Sequence, residues 1–264
     1  MGKQYVFIAK MEMSNSLIYR FNVFNTIISQ VIICFVSIML WKALYSNTDT
    51  VAGVNAAQMV TYSIISVLLG SMLSCSVEDK IYNSIQQGNI ALNFIRPINL
   101  LLHYLAEDIG KLISSFFIAF VPLFIVVSFV YFIPLPRDGL SAVLFIVSGL
   151  LGFIIYWMIG AIFGLLSFWM TDFGNIAQVK NAVIRVLSGS IVPTWFLPKK
   201  INMIFSLFPF QYTYQTPLSF YIGKYEAANI VKPLLIQLIW VAVLFVLLYC
   251  LWKKAERNTV IQGG

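Results

Sequence analysis

Few residues of this 264-residue chain could take part in bond chemistry, and their spacing argues against most of it. Glu78 with Asp79, and Glu107 with Asp108, form two acidic pairs. Neighbours in sequence do not face each other on a helix, so neither pair suits general acid/base work. Helix capping or a solvated contact surface fits them better. His103 is the single histidine and has no partners at metal-ligand spacing. Cys34, Cys75 and Cys250 include no CxxC pair and fall in or beside apolar stretches, where they read as packing residues. No GxxxxGK[ST] phosphate loop, GxSxG elbow or HExxH motif is present, and Gly110-Lys111 lacks the upstream glycine. The chain is therefore expected to be no enzyme, with no catalytic, metal or directly bound cofactor residues.

Two charged residues stand out by position. Arg185 falls inside an apolar stretch, where an arginine costs about 2.5 kcal/mol or more on insertion scales. One reading makes it an anion or hinge contact in a transport path. The other starts the helix later and lets Arg185 snorkel inward beside Lys180. Asp172 most simply caps the following helix; a proton-relay role lacks a second member.

The elements that position these residues are membrane spans. Hydrophobic residues make up 60% of the chain and charged residues only 10%, which excludes an ordinary soluble core. A hydrocarbon layer of about 30 Å needs about 20 helical residues. Six stretches qualify: 22–45, 54–75, 112–133, 140–170, 173–192 and 231–252. The first is too long for a signal-peptide core and lacks a cleavage site, so the chain is read as mature from its start. The expected fold is an all-α integral membrane protein, a single transmembrane domain over 1–264. Ten Lys and Arg lie on the side of the termini against six on the other, Arg185 being left out, which places both termini in the cytoplasm. The net charge of +7 thus reflects topology and lipid headgroups rather than nucleic acid.

Three further segments are distinctive. Residues 1–20 place Tyr5, Ile8, Ala9, Leu17 and Ile18 among charges, as an amphipathic helix in the inner headgroup plane would. The inner segment 77–111 holds helical apolar spacing interrupted at Gly88 and broken at Arg96-Pro97, with a second helix expected from Asn99. The outer segment 193–230 mixes prolines with Trp195, Phe196, Phe210, Tyr212 and Tyr221, too aromatic for a solvated loop, and reads as re-entrant helices. Pro122 predicts a kink in the third span. Gly152, Gly160 and Gly164 share a face with Tyr156, which suits close helix packing or, alternatively, a substrate groove.

In order, IQQGNIALNFIRPI (85–98), SGSIVP (188–193), Phe196-Leu197-Pro198, Leu207-Phe208-Pro209-Phe210, Pro217 and Tyr221-Ile222-Gly223 resemble the permease subunits of ABC-2 type transporters. The closer resemblance is to six-span permeases without a fused ATPase. The chain departs from that pattern at Asn93 and Phe94, and in the basic pair Lys199-Lys200. The resemblance implies an exporter subunit in the cell membrane that pairs with a second permease copy or a related one. A separate ABC ATPase dimer would supply ATP-driven motion. Gly88, Asn89, Phe94, Arg96 and Pro97 would then couple to the ATPase, Arg96 offering a donor fork or, alternatively, binding lipid phosphate. Arg185, Tyr156, Trp195 and Phe210 would line the route of an amphipathic substrate: a peptide, lipid or drug-like molecule. The competing classes are an ion-coupled secondary transporter, which calls for buried acids, and a membrane-embedded lipid-modifying enzyme, which calls for clustered His, Asp or Arg.

Overall fold

A computed structural model describes residues 2–16, 20–87, 99–136, 138–169, 176–225 and 230–262. Its helices in chain order are α1 (Gly2–Ser16), α2 (Arg20–Leu44), α3 (Ala56–Met72), α4 (Val77–Gln86) and α5 (Leu100–Ser115). A π-helical turn (Phe116–Phe120) joins α5 to α6 (Val121–Val130). After these come α7 (Gly139–Leu166), α8 (Ile176–Leu187), α9 (Lys199–Ser206), α10 (Gln215–Tyr221) and α11 (Val231–Gln262). Strands β1 (Thr50–Val51) and β2 (Val54–Asn55) form a two-stranded antiparallel hairpin between α2 and α3.

Five helical stretches among the described residues are long and apolar enough to cross a bilayer: Phe24–Leu44, Ala56–Gln86, Leu100–Val130, Gly139–Leu166 and Val231–Glu256. The remaining expected span, 173–192, is represented by α8, whose 12 residues cover about 18 Å. The backbone leaves the helix at Ser188, and Gly189 adopts φ +76°, a left-handed conformation that a β-carbon disfavours.

Burial separates a core from a rim. In Ala56–Gln86, 61% of the apolar window is buried, against 17% in Phe24–Leu44, Leu100–Val130 and Val231–Glu256. Rim helices turn Phe24, Ile32, Phe35, Phe129 and Phe245 outward, where lipid replaces water as the neighbour. α3 starts cleanly because Asn55 and Gln58 form a reciprocal capping box, and Gln58 also donates to the Ile222 carbonyl.

Where a kink is expected at Pro122, the third span carries a π-helical turn that ends at Phe120. Proline lacks the N–H for a regular helical bond, and a wide turn accommodates the loss. The glycine face of α7 serves packing. A β-carbon on Gly152 would stand 2.8 Å from the Thr213 carbonyl, and one on Gly164 would stand 2.9 Å from the Glu78 Cα. α11 is tied to α7 by Gln237, which is fully buried. Its Nε2 donates to the carbonyls of Ser148 and Tyr212, while Ser148 Oγ donates to its Oε1. Polar side chains bond helices together where lipid supplies no hydrophobic drive.

Both terminal helices meet the same end of the bundle. α1 packs on α5 with Ala9 against Gly110, and Lys254 of α11 lies 5.6 Å from the Trp169 ring just beyond α7. The half-buried residues Tyr5, Ile8, Ala9, Glu12 and Met13 form one helical face of α1, while Val6, Phe7 and Met11 stay exposed.

Candidate functional site

At that end, the second span breaks. Residues 73–76 are non-helical between α3 and α4. A break inside apolar surroundings frees backbone groups that must find partners. Asp108 of α5, fully buried, supplies one: its Oδ1 accepts from the Ser76 N–H at 3.2 Å and from Ser76 Oγ at 3.1 Å. Its Oδ2 accepts from Trp157 Nε1 of α7 at 3.1 Å.

Below the break, α4 carries two different faces. Ser76, Lys80 and Ser84 recur every four residues and meet α5 in antiparallel order. Ser76 bonds Asp108, Lys80 Nζ lies 2.7 Å from Glu107 Oε2, and Ser84 Oγ lies 3.0 Å from Tyr104 Oη. Lys80 also stands 3.7 Å from Asp108, and His103 Nε2 stands 3.3 Å from Glu107 Oε1. This polar zipper makes α4 and α5 a braced pair, connected in sequence through residues 88–98.

The second face of α4 carries Val77, Glu78 and Ile81, all buried. It lies against Gly160 and Gly164 of α7. Glu78 Oε1 accepts from Lys180 Nζ of α8, an ion pair with both side chains at most 1% exposed. Glu78 Oε2 has no hydrogen-bond partner among the described residues. Lys180 Nζ also lies 4.4 Å from the Tyr156 ring centroid, within reach of a cation–π attraction. Tyr156 Oη donates to Asn181 Oδ1 at 3.0 Å. The acidic pairs are therefore split by burial: Glu78 and Asp108 are interior, not part of a solvated surface. Adjacent residues on a helix diverge, so one member of each pair enters the protein while its neighbour need not.

At the opposite end of α8, residues 188–194 are held between α3 and α10. Tyr62 Oη donates to the Gly189 carbonyl at 2.7 Å, and Ser66 Oγ donates to the Ser190 carbonyl at 2.6 Å. The Gln215 N–H donates to the Ser188 carbonyl, and Gln215 Oε1 accepts from the Thr194 N–H at 2.6 Å. Trp195 stacks edge-on against Tyr62 at 5.4 Å, and Lys224 Nζ sits 4.4 Å from its ring centroid. Lys224 donates to the Ala52 carbonyl, and burial pushes its ammonium below the ordinary lysine range. The Trp195 indole N–H has no partner among the described residues.

Of the expected pathway residues, Tyr156 is buried beside Lys180, whereas Arg185 is exposed on another face of α8. Trp195 and Phe210 lie half-buried in the 193–230 segment. The expected coupling residues Gly88, Asn89, Phe94, Arg96 and Pro97, and also Asp172, lie outside the described residues. Sequence reasoning passed over Glu78, Asp108 and Lys180 as partners. Two signals were legible. One was the spacing of Ser76, Lys80 and Ser84 opposite Tyr104, Glu107 and Asp108. The other lay on α8, where helical periodicity gathers Gln178, Asn181 and Arg185 on one side and leaves Lys180 among apolar residues, near Ile184.

A family model described as ABC-2 family transporter protein matches residues 31–263. Comparison with curated proteins and with solved structures returns no match. The family match begins within Phe24–Leu44 and covers the other four long apolar helical stretches among the described residues, the braced α4–α5 pair and the 193–230 segment, and the chain belongs to the ABC-2 family of transporter proteins.

Proposed function

We propose that the chain is the membrane-spanning subunit of an ATP-driven exporter, powered by a separate ABC ATPase dimer and paired with a second permease. The observation that carries this reading is the α4–α5 pair. Three polar contacts brace it at the end where α1 and the C-terminal part of α11 gather. A brace of this kind suits a place where force enters. On this reading that end is cytoplasmic, α8 with the following turn makes the sixth passage, and Arg96 of the 88–98 connection contacts the ATPase. The apolar, aromatic interior favours an amphipathic substrate over a small hydrophilic solute. The test is ATP hydrolysis by the purified chain in lipid, alone and with candidate ATPase subunits. No hydrolysis alone and hydrolysis with a partner is expected; hydrolysis by the pure chain overturns the reading.

One observation favours a second class. Glu78 and Asp108 are buried acids of the kind that ion-coupled carriers use. Both accept bonds from neighbouring donors, which suits a structural role instead. Flux driven by a proton gradient without ATP, lost in Glu78→Gln, would decide for the carrier.

A further inference from the structure

α4 meets its neighbours in two physically different ways. Toward α5 it is bonded at three levels and cannot slide without breaking polar contacts. Toward α7 it lies on the glycines Gly160 and Gly164 through Val77, Glu78 and Ile81, mostly a smooth surface with no side-chain hydrogen bond between the two helices among the described residues. Its bond to α8 is a single buried ion pair, Glu78 to Lys180. Because Glu78 Oε2 has no hydrogen-bond partner among the described residues, the carboxylate is held from the Lys180 side alone. A buried pair of this kind adds little net stability, but breaking it is costly, since it leaves a buried charge uncompensated.

From Lys180, α8 runs unbroken to Leu187, about 10 Å farther along the axis. There the chain enters the turn at 188–194, bonded to Tyr62 and Ser66 of α3 and to Gln215 of α10. We propose that the Glu78–Lys180 pair is a positioning device that makes α8, and through it the outer turn at 188–194, follow the movement of α4. The α7 glycine face lets α4 shift, the ion pair obliges α8 to shift with it, and the outer turn receives the displacement. The geometry of the pair stands independently of the energy source. That α4 is driven from residues 88–98 by an ATPase rests on the function proposed above.

Amide hydrogen exchange of the chain alone in phospholipid nanodiscs tests the pair without any ATPase or substrate. Glu78→Gln and Lys180→Met are each expected to speed exchange in the peptide covering 188–194 by about fivefold or more, because local units open independently of the whole. Exchange in the β1–β2 hairpin, at the same outer end but not reached through α8, is expected to stay unchanged. The charge-exchanged variant Glu78→Lys/Lys180→Glu is expected to restore slow exchange. Unchanged exchange at 188–194, acceleration spread equally to the hairpin, or a charge-exchanged variant no better than the single variants overturns the proposal. If the single variants do not accumulate in the membrane, the exchanged variant decides: slow exchange supports the pair, and failure to accumulate overturns it. In a second arm, a non-hydrolysable ATP analogue added to the chain with its ATPase should alter exchange at 188–194 in the parent but not in Lys180→Met. No response in the parent counts against the ATPase reading, and the nanodisc measurement then decides for or against the pair by itself.

Discussion

Lys180 and Glu78 show how far burial changes the worth of a charge. Lys80 and Glu107 form a partly exposed pair, and such pairs contribute about 1 kcal/mol or less. Lys180 and Glu78 are shut away from solvent, so removing one partner strands the other at a cost of about 3–5 kcal/mol. Lys180→Met is therefore expected to lower unfolding stability in detergent by that amount, and Lys80→Met by much less. The double variant Glu78→Gln/Lys180→Met should recover most of the loss, because no unpaired charge remains. A double variant as unstable as Lys180→Met would show that the two charges are not energetically coupled. Arg185 carries the opposite lesson. Its charge within an apolar stretch drew attention in the sequence, yet it is exposed on α8 while Lys180 is buried.

At the scale of elements, α7 acts as the central post. One face from Gly152 to Gly164 receives Tyr212 and Thr213 at one end and α4 at the other. Gly164→Ala would force a β-carbon to 2.9 Å from the Glu78 Cα, and overpacking of this sort costs about 1–3 kcal/mol. Gly149→Ala meets nothing within 4 Å and should be neutral or stabilising by about 0.5–1 kcal/mol through helix propensity. Thermal unfolding of the two variants side by side checks this; equal effects would mean that the face is not tightly packed. Gly189 is a separate case, since its φ of +76° and the nearby Gln215 side chain both oppose a β-carbon. Gly189→Ala is expected to disturb the turn at 188–194, read as faster amide exchange there, while α4 keeps its protection. Slow exchange retained in the turn would mean that it tolerates a side chain.

At the scale of the whole molecule, the gathering of α1 and the end of α11 beside the braced α4–α5 pair makes a topological prediction. In a background lacking Cys34, Cys75 and Cys250, Ser14→Cys and Glu256→Cys should react with an impermeant maleimide only in inside-out vesicles, and Asn47→Cys only in right-side-out ones. Opposite labelling of Ser14→Cys and Glu256→Cys would leave five passages rather than six. Much of this architecture was legible beforehand, because long apolar runs can be satisfied only by helices in lipid and because Gly and Pro punctuate them locally. The all-α membrane class, the long apolar stretches and the helix start after Asn99 were readable for that reason. The end of the α8 helix at Leu187 was not, because Val186, Ile191 and Val192 remain apolar on both sides of the turn. Nor could composition pair Glu78 with Lys180, 102 positions apart. The sequence by itself determined that this chain lives in a membrane as helices, since hydropathy and chain breaks are local properties. Only the tertiary structure decided which charges lie inside and whom they face. That choice depends on how α4, α5, α7 and α8 pack, and along α3 and α7, apolar on nearly every side, no periodicity marks the inward face.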